Sequence, residues 1–249
     1  MESPRRQRLP FFESHDCPSL ARRALAEGVA TAGLTMAVIF SVQATWLGAL
    51  RPLAICLGVP AAVAALTLSF GPATGAHFNP LVTASQWLRG HRETRCFIAY
   101  VLAQFIGALI GAGAAATLVG PALHVVPAPI AVVIGSEVFA TAGLLIIVLA
   151  SSLVASPLTG LLAVLGWLLM INLAAPAGPF ANPVLALAAP LALGSIAPAL
   201  LLAHVAAEFT GAAIALLVVA VTYPRIEQRA PPADLRSDQP KIPSEPLGR

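Results

Sequence analysis

Two asparagine–proline pairs, Asn79-Pro80 and Asn182-Pro183, stand out in a chain whose middle is almost free of polar side chains. Asparagine caps helix starts and proline is favoured at the first helical position, so each pair reads as the beginning of a helix. Three carboxylates, Glu27, Glu137 and Glu208, fall inside apolar runs. Ionised groups in such surroundings cost several kcal/mol or more unless paired, so Glu27 and Glu137 are candidates for proton relay or for buried hydrogen bonding. His77, two residues before Asn79, has the chemistry of a loop brace or of a pH sensor, since an unperturbed imidazole titrates near 6.5. No His/Cys cluster has zinc spacing, and no nucleophile elbow, P-loop or aqueous acid/base pair is present, so neither a metal, nor a cofactor, nor an enzyme is expected.

The elements that must hold these residues follow from composition. The 249-residue chain is 58% hydrophobic and carries only 14 basic and 11 acidic side chains, with a mean hydropathy of +0.85. A soluble domain has about 25% charged residues. Between Arg95 and Arg225 there is no Lys or Arg, and Glu137 and Glu208 are the only acids. The apolar content excludes disorder, and three scattered cysteines, Cys17, Cys56 and Cys96, exclude a disulfide scaffold. An integral protein of the lipid bilayer remains. The net charge of +3 suggests no nucleic-acid partner, because the basic residues cluster like topology signals: Arg5 to Arg23, Arg89 to Arg95, and Arg225 onward, with Arg51 alone elsewhere. The positive-inside rule places those three clusters and both termini in the cytoplasm of a multi-pass cell-membrane protein, with the 45–51 connection outside.

Apolar runs at 24–44, 52–70, 96–119, 129–151, 157–175 and 197–222 are each about long enough to span, the requirement being about 20 residues. Two shorter stretches, 71–88 and 176–192, begin with Gly/Pro-rich chain and continue at an Asn-Pro pair. A helix from Asn79 to about Arg89 rises about 16 Å, roughly half the hydrocarbon thickness. Gly71-Pro72-Ala73-Thr74-Gly75 and Pro176-Ala177-Gly178-Pro179 read as non-helical lead-ins. Irregular chain at membrane depth must line a cavity or be covered by protein, which suits two re-entrant half-helices. The chain also repeats: Glu27 matches Glu137, Asn79-Pro80 matches Asn182-Pro183, and Ala103-Gln104-Phe105-Ile106-Gly107-Ala108 matches Ala207-Glu208-Phe209-Thr210-Gly211-Ala212. Three spans and a half-helix form an odd unit, so the second copy is inverted, an arrangement that marks a solute pathway. Glu208 pairs by repeat with neutral Gln104, which argues for hydrogen bonding. Gly107 and Gly111 are expected to serve helix packing within one protomer.

Gly75-Ala76-His77-Phe78-Asn79-Pro80-Leu81-Val82-Thr83 and Phe180-Ala181-Asn182-Pro183-Val184 resemble the two Asn-Pro-Ala loops of the aquaporin and glycerol-facilitator superfamily, over about residues 22–222. The resemblance implies an all-α membrane fold of six spans and two half-helices, with repeat one at about 24–119 and repeat two at about 129–222. The polar, Arg-rich stretch 1–23 reads from its own composition as a basic cytosolic tail, and the polar, proline-broken stretch 223–249 as a disordered cytosolic one. The resemblance also implies that Asn79 and Asn182 meet at the pore centre and offer amide donors. The carbonyls of Gly75, Ala76 and His77, and of Gly178, Pro179 and Phe180, would then supply acceptors. Glu27 and Glu137 would hold loop N–H groups, and four protomers would assemble as a homotetramer.

Departures from the family pattern concern selectivity. Leu81 and Val184 replace alanine and are bulkier. Leu185 stands where most members carry a filter arginine. Counting from Asn79 puts Val59 at a second filter position; Ile171, or Met170, takes the third, and Pro179 the fourth. All are apolar, which implies a filter wider or more hydrophobic than a strict water filter. The reading is a passive channel for small polar solutes: water, glycerol-like polyols, urea or neutral metalloid hydroxides, with anionic species also open. Two rivals are a proton-coupled transporter using Glu27 or Glu137, and a non-conducting membrane protein.

Overall fold

The computed structural model describes residues 18–120, 128–152, 156–175, 178–193 and 198–223. Cys17, His124 and nearly all of both expected tails lie outside these residues. Among the described residues there are eight α-helices and no strand. They are α1 (Leu20–Gln43), α2 (Arg51–Thr74), α3 (Pro80–Leu88), α4 (Thr94–Val119), α5 (Ile130–Ser151), α6 (Pro157–Ala174), α7 (Pro183–Leu193) and α8 (Pro198–Thr222), with a 3-10 segment Thr45–Leu50 between α1 and α2. Six of the helices, all but α3 and α7, are long and apolar enough to cross a membrane. This is the all-α architecture expected from the runs, with two adjustments. Arg22 and Arg23 belong to α1 and not to a tail.

The second adjustment is at the end of α2, which continues through Gly71-Pro72 to Thr74 instead of stopping at residue 70. In apolar surroundings no water compensates a broken ladder, so the helix tolerates a proline and persists. The stop is Gly75, whose φ of +88° suits only glycine readily and whose N–H closes on the Gly71 carbonyl. The irregular lead-in is therefore shorter than the sequence suggested. α3 is a nine-residue helix rising about 13 Å, and its end is marked by Gly90 at φ +76°.

The two repeats pair alike. α1 packs on α4 and α5 on α8, while α2 packs on α6 across the repeat boundary. The α1–α4 crossing is close because of glycine. A Cβ on Gly107 would overlap the Gly28 carbonyl oxygen, and one on Gly111 would overlap that of Ala32. In the second repeat a Cβ on Gly211 would stand 2.6 Å from the Val138 carbonyl oxygen. The Gly-xxx-Gly pair thus joins helices within one protomer, as small residues do where helices must touch. Large apolar side chains such as Leu25, Leu102, Leu118, Leu217 and Val221 point outward, a surface that suits lipid tails and not water.

Gly107→Ala is expected to lower the melting temperature of the detergent-solubilised protein, since overpacking costs about 1–3 kcal/mol. Gly113→Ala, where an added Cβ meets open space, should leave melting unchanged or raise it slightly.

Candidate functional site

The starts of α3 and α7 meet inside the bundle. Asn79 caps α3, its Oδ1 accepting from the Leu81 N–H at 2.9 Å. Asn182 caps α7 in the same way, accepting from the Val184 N–H at 3.3 Å. Each amide then reaches across to the other loop. Asn79 Nδ2 donates to the Ala181 carbonyl at 2.8 Å, and Asn182 Nδ2 donates to the Phe78 carbonyl at 2.9 Å. A carboxamide has two N–H groups, so this clasp uses one donor of each asparagine and leaves one.

The residues that accept the clasp are strained. Phe78 and Ala181 have φ of +50° and +48°, a left-handed conformation that costs of order 1–3 kcal/mol for residues with side chains. The two glutamates hold them there. Glu27 accepts from the His77 N–H at 3.1 Å and the Phe78 N–H at 2.8 Å, one per oxygen. Glu137 accepts from the Phe180 and Ala181 N–H groups, both at 2.9 Å. Both carboxylates are fully buried.

Around this frame the repeats differ. In the first, Gln104 Nε2 donates to Glu27 Oε2 at 2.8 Å and to Thr83 Oγ1 at 3.0 Å. His77 Nδ1 lies 3.1 Å from the same hydroxyl, which itself donates to the Asn79 carbonyl. The count closes with the proton on Nδ1. In the second, Glu208 accepts from the Asn182 N–H at 2.8 Å, and His204 Nδ1 lies 2.7 Å from Glu137 Oε1. The aromatic pairs are exchanged: the His77 ring meets Tyr100 edge-on, whereas Phe180 meets His204. His204, a lone histidine in an apolar run, is thus a polar partner of Glu137. The repeat offset that aligns Gln104 with Glu208 also aligns Tyr100 with His204, and that was the available signal.

A cavity of about 760 Å³ runs past both asparagines. Its lining descends one face of α2 from Arg51 through Ile55, Val59 and Val63 to Thr67, a drop of about 24 Å. Gly75, Ala76, His77, Gly178, Pro179 and Phe180 all border it. So do Val59, Ile171 and Leu185, while Met170 is turned outward at 37% exposure. Leu185 packs with Leu34, Val38 and Phe78. Leu81 and Val184 do not line the cavity. Leu81 packs behind α3 against Leu145 and Val148, and Val184 packs behind α7 against Ile39 and Ala112. Their bulk relative to alanine is absorbed by the bundle and does not narrow the passage. Arg51, Asn172, Gln86 and Trp167 also border the cavity, and sequence reasoning assigned none of them a place there.

At the end of the bundle that carries the α3–α4 connection, Tyr100 donates to the Thr74 carbonyl at 2.9 Å and Arg92 to the same oxygen at 3.3 Å. Arg23 donates to the Tyr100 hydroxyl at 3.0 Å. Cations here offset the negative end of α2. His91, in that connection, lies 2.9 Å from Gln86 Oε1. Partial burial and then the charges of Arg89 and Arg92 hold its pKa below the ordinary 6.5. Among the described residues no cluster suited to a metal ion is found.

Six spanning helices around two half-helices joined start to start define a multi-pass membrane protein built around a transverse cavity. A family model described as "Major intrinsic protein" matches residues 14–215, and the chain belongs to that family. Among curated proteins it is 41% identical over 69 residues to the probable aquaporin AqpM of Archaeoglobus fulgidus, covering 28% of each chain. It is 38% identical over 96 residues to the aquaglyceroporin AqpS of Rhizobium meliloti, covering 37% of this chain and 41% of that one. These alignments span well under half the length of the relatives. The structure of the aquaglyceroporin from Plasmodium falciparum shares the fold, with a TM-score of 0.66 at 19% identity, covering 81% of this chain and 96% of that one.

Glu137→Gln retains one oxygen for two loop N–H groups and is expected to cost about 2–3 kcal/mol, read as lower thermal stability. Thr141→Val, at a buried hydroxyl with no partner among the described residues, should be neutral or stabilising in the same assay.

Proposed function

We propose that the chain is a passive channel for small polar solutes, with water, glycerol-like polyols, urea and neutral metalloid hydroxides as its cargo. The observation that carries this is the asparagine clasp beside a long cavity. One N–H of each amide is left to meet a passing oxygen, and the positive ends of α3 and α7 face the same point. The family supports a channel, and the names of the aquaporin and aquaglyceroporin relatives support the solute class. Val59, Ile171, Pro179 and Leu185 form an apolar selectivity filter with no cation in it, and the loop carbonyls flank it. Such a surface suits the carbon skeleton of a polyol while the asparagines meet its hydroxyls. The channel works as a homotetramer in the cell membrane with both termini cytoplasmic, and the stretches before Leu20 and after Thr222 are tails outside the channel domain.

Glu27 and Glu137 act as loop holders in this reading. Each gives both oxygens to backbone N–H groups, and neither borders the cavity. A proton-coupled transporter needs one of them on the route, so that alternative is the weaker one.

Stopped-flow light scattering on proteoliposomes tests the proposal. Water and glycerol permeabilities should both exceed those of empty vesicles, and an increase for none of these solutes would refute the channel. Leu185→Arg should reduce glycerol permeability relative to water roughly tenfold or more by returning a bulky cation to the filter. A non-conducting protein would stay silent in both forms.

A further inference from the structure

Resting on the channel reading, we propose that Gly143 is a specificity-determining residue: the slot it leaves in α5 seats the Trp167 indole beside the passage and so keeps the passage wide enough for polyols and not for water alone. Among the described lining residues Trp167 carries the largest side chain. It stands one turn before Ile171, about 6 Å along α6 and nearer the middle of that helix. A ring of that size at that depth must be stowed if carbon-bearing solutes are to pass.

Three neighbours on α5 hold it. The Trp167 Nε1 donates to the Ala140 carbonyl at 3.0 Å. The Phe139 ring lies tilted against the indole, with centroids 5.2 Å apart. A Cβ on Gly143 would overlap Cζ2, Cε2 and Cη2 of the indole, so the six-membered half of the ring occupies the space that a side chain would take. Ala140 and Leu144 border the cavity whereas Phe139 and Gly143 do not, so the slot lies to the side of the passage.

No backbone requirement explains the glycine. Gly143 lies inside α5 and is not among the residues with positive φ, and a mid-helix glycine costs about 1 kcal/mol relative to alanine. The repeat sharpens the point. The offset that aligns Glu27 with Glu137 also aligns Gly33 with Gly143, yet a Cβ on Gly33 would stand 3.4 Å from the nearest Leu66 methyl, an ordinary contact. The first repeat has room for a methyl at this place and the second has none, because a tryptophan fills it. Alanine at 143 must therefore displace the ring. Phe139 holds one flank and α5 the floor, so the indole moves toward the cavity it already borders.

The test is stopped-flow light scattering on proteoliposomes of the full chain, with glycerol and water permeabilities read side by side for the wild type, Gly143→Ala and Gly143→Ala/Trp167→Leu. Gly143→Ala is expected to lower the glycerol-to-water ratio about tenfold or more. The double variant, which has the methyl but no indole to displace, should recover most of it. An unchanged ratio in folded Gly143→Ala overturns the proposal, and so does a double variant as low as the single one. If Gly143→Ala fails to fold, acrylamide quenching of Trp167 fluorescence decides, in a chain whose other tryptophans are replaced, Trp46→Phe and Trp87→Phe. A seated indole is shielded from the aqueous quencher, and quenching close to that of free indole overturns the proposal. A wild type that conducts water and excludes glycerol also overturns it and leaves the channel reading standing. A wild type that passes neither defeats the channel reading and this proposal together.

Discussion

The reciprocal bond between each asparagine amide and the carbonyl before the other asparagine is the constraint on which the site depends. It brings two helix starts together inside a bundle, where uncapped N–H groups have no water to turn to. The geometry works only if Phe78 and Ala181 turn left-handed, so that each aims its carbonyl across the seam and its N–H back toward its own repeat. That conformation is unfavourable, and a buried glutamate in each repeat offsets the cost by taking two adjacent N–H groups. Glutamate, strained residue and asparagine thus form one unit in each half, and each unit is completed by the other.

Where the halves differ, the difference lies outside that unit. Gln104 and Thr83 satisfy the first loop with neutral groups, whereas Glu208 and His204 serve the second. Arg92 and Tyr100 converge on the last carbonyl of α2 at one end, and Arg51 ties the first turn of the same helix at the other. An inverted duplication keeps the joint fixed and lets the two mouths diverge in chemistry.

Much of the fold was legible because membrane spans are long and apolar and because punctuation is scarce. Asn-Pro marked both half-helices, the repeat predicted that the second copy is inverted, and the family resemblance implied that the two starts meet. The stop of α2 was misread at Gly71-Pro72, since a proline that ends a helix in water need not do so where no water replaces the lost bond. His204 was passed over because a lone histidine in an apolar run carries no local signal; its meaning lies in Glu137, 67 residues earlier.

The sequence by itself determined the number of spans, the two broken segments, their start residues and the duplication, because these follow from helix length, capping chemistry and repetition along the chain. Only the tertiary structure decided which faces line the cavity: Ile171 inward and Met170 outward, Leu81 and Val184 behind their half-helices, Arg51 at the mouth. In a soluble protein the polar face of a helix reveals which side is out. Here lipid, core and much of the cavity wall are all apolar, so periodicity carries no contrast between inside and outside, and orientation emerges only when the helices pack.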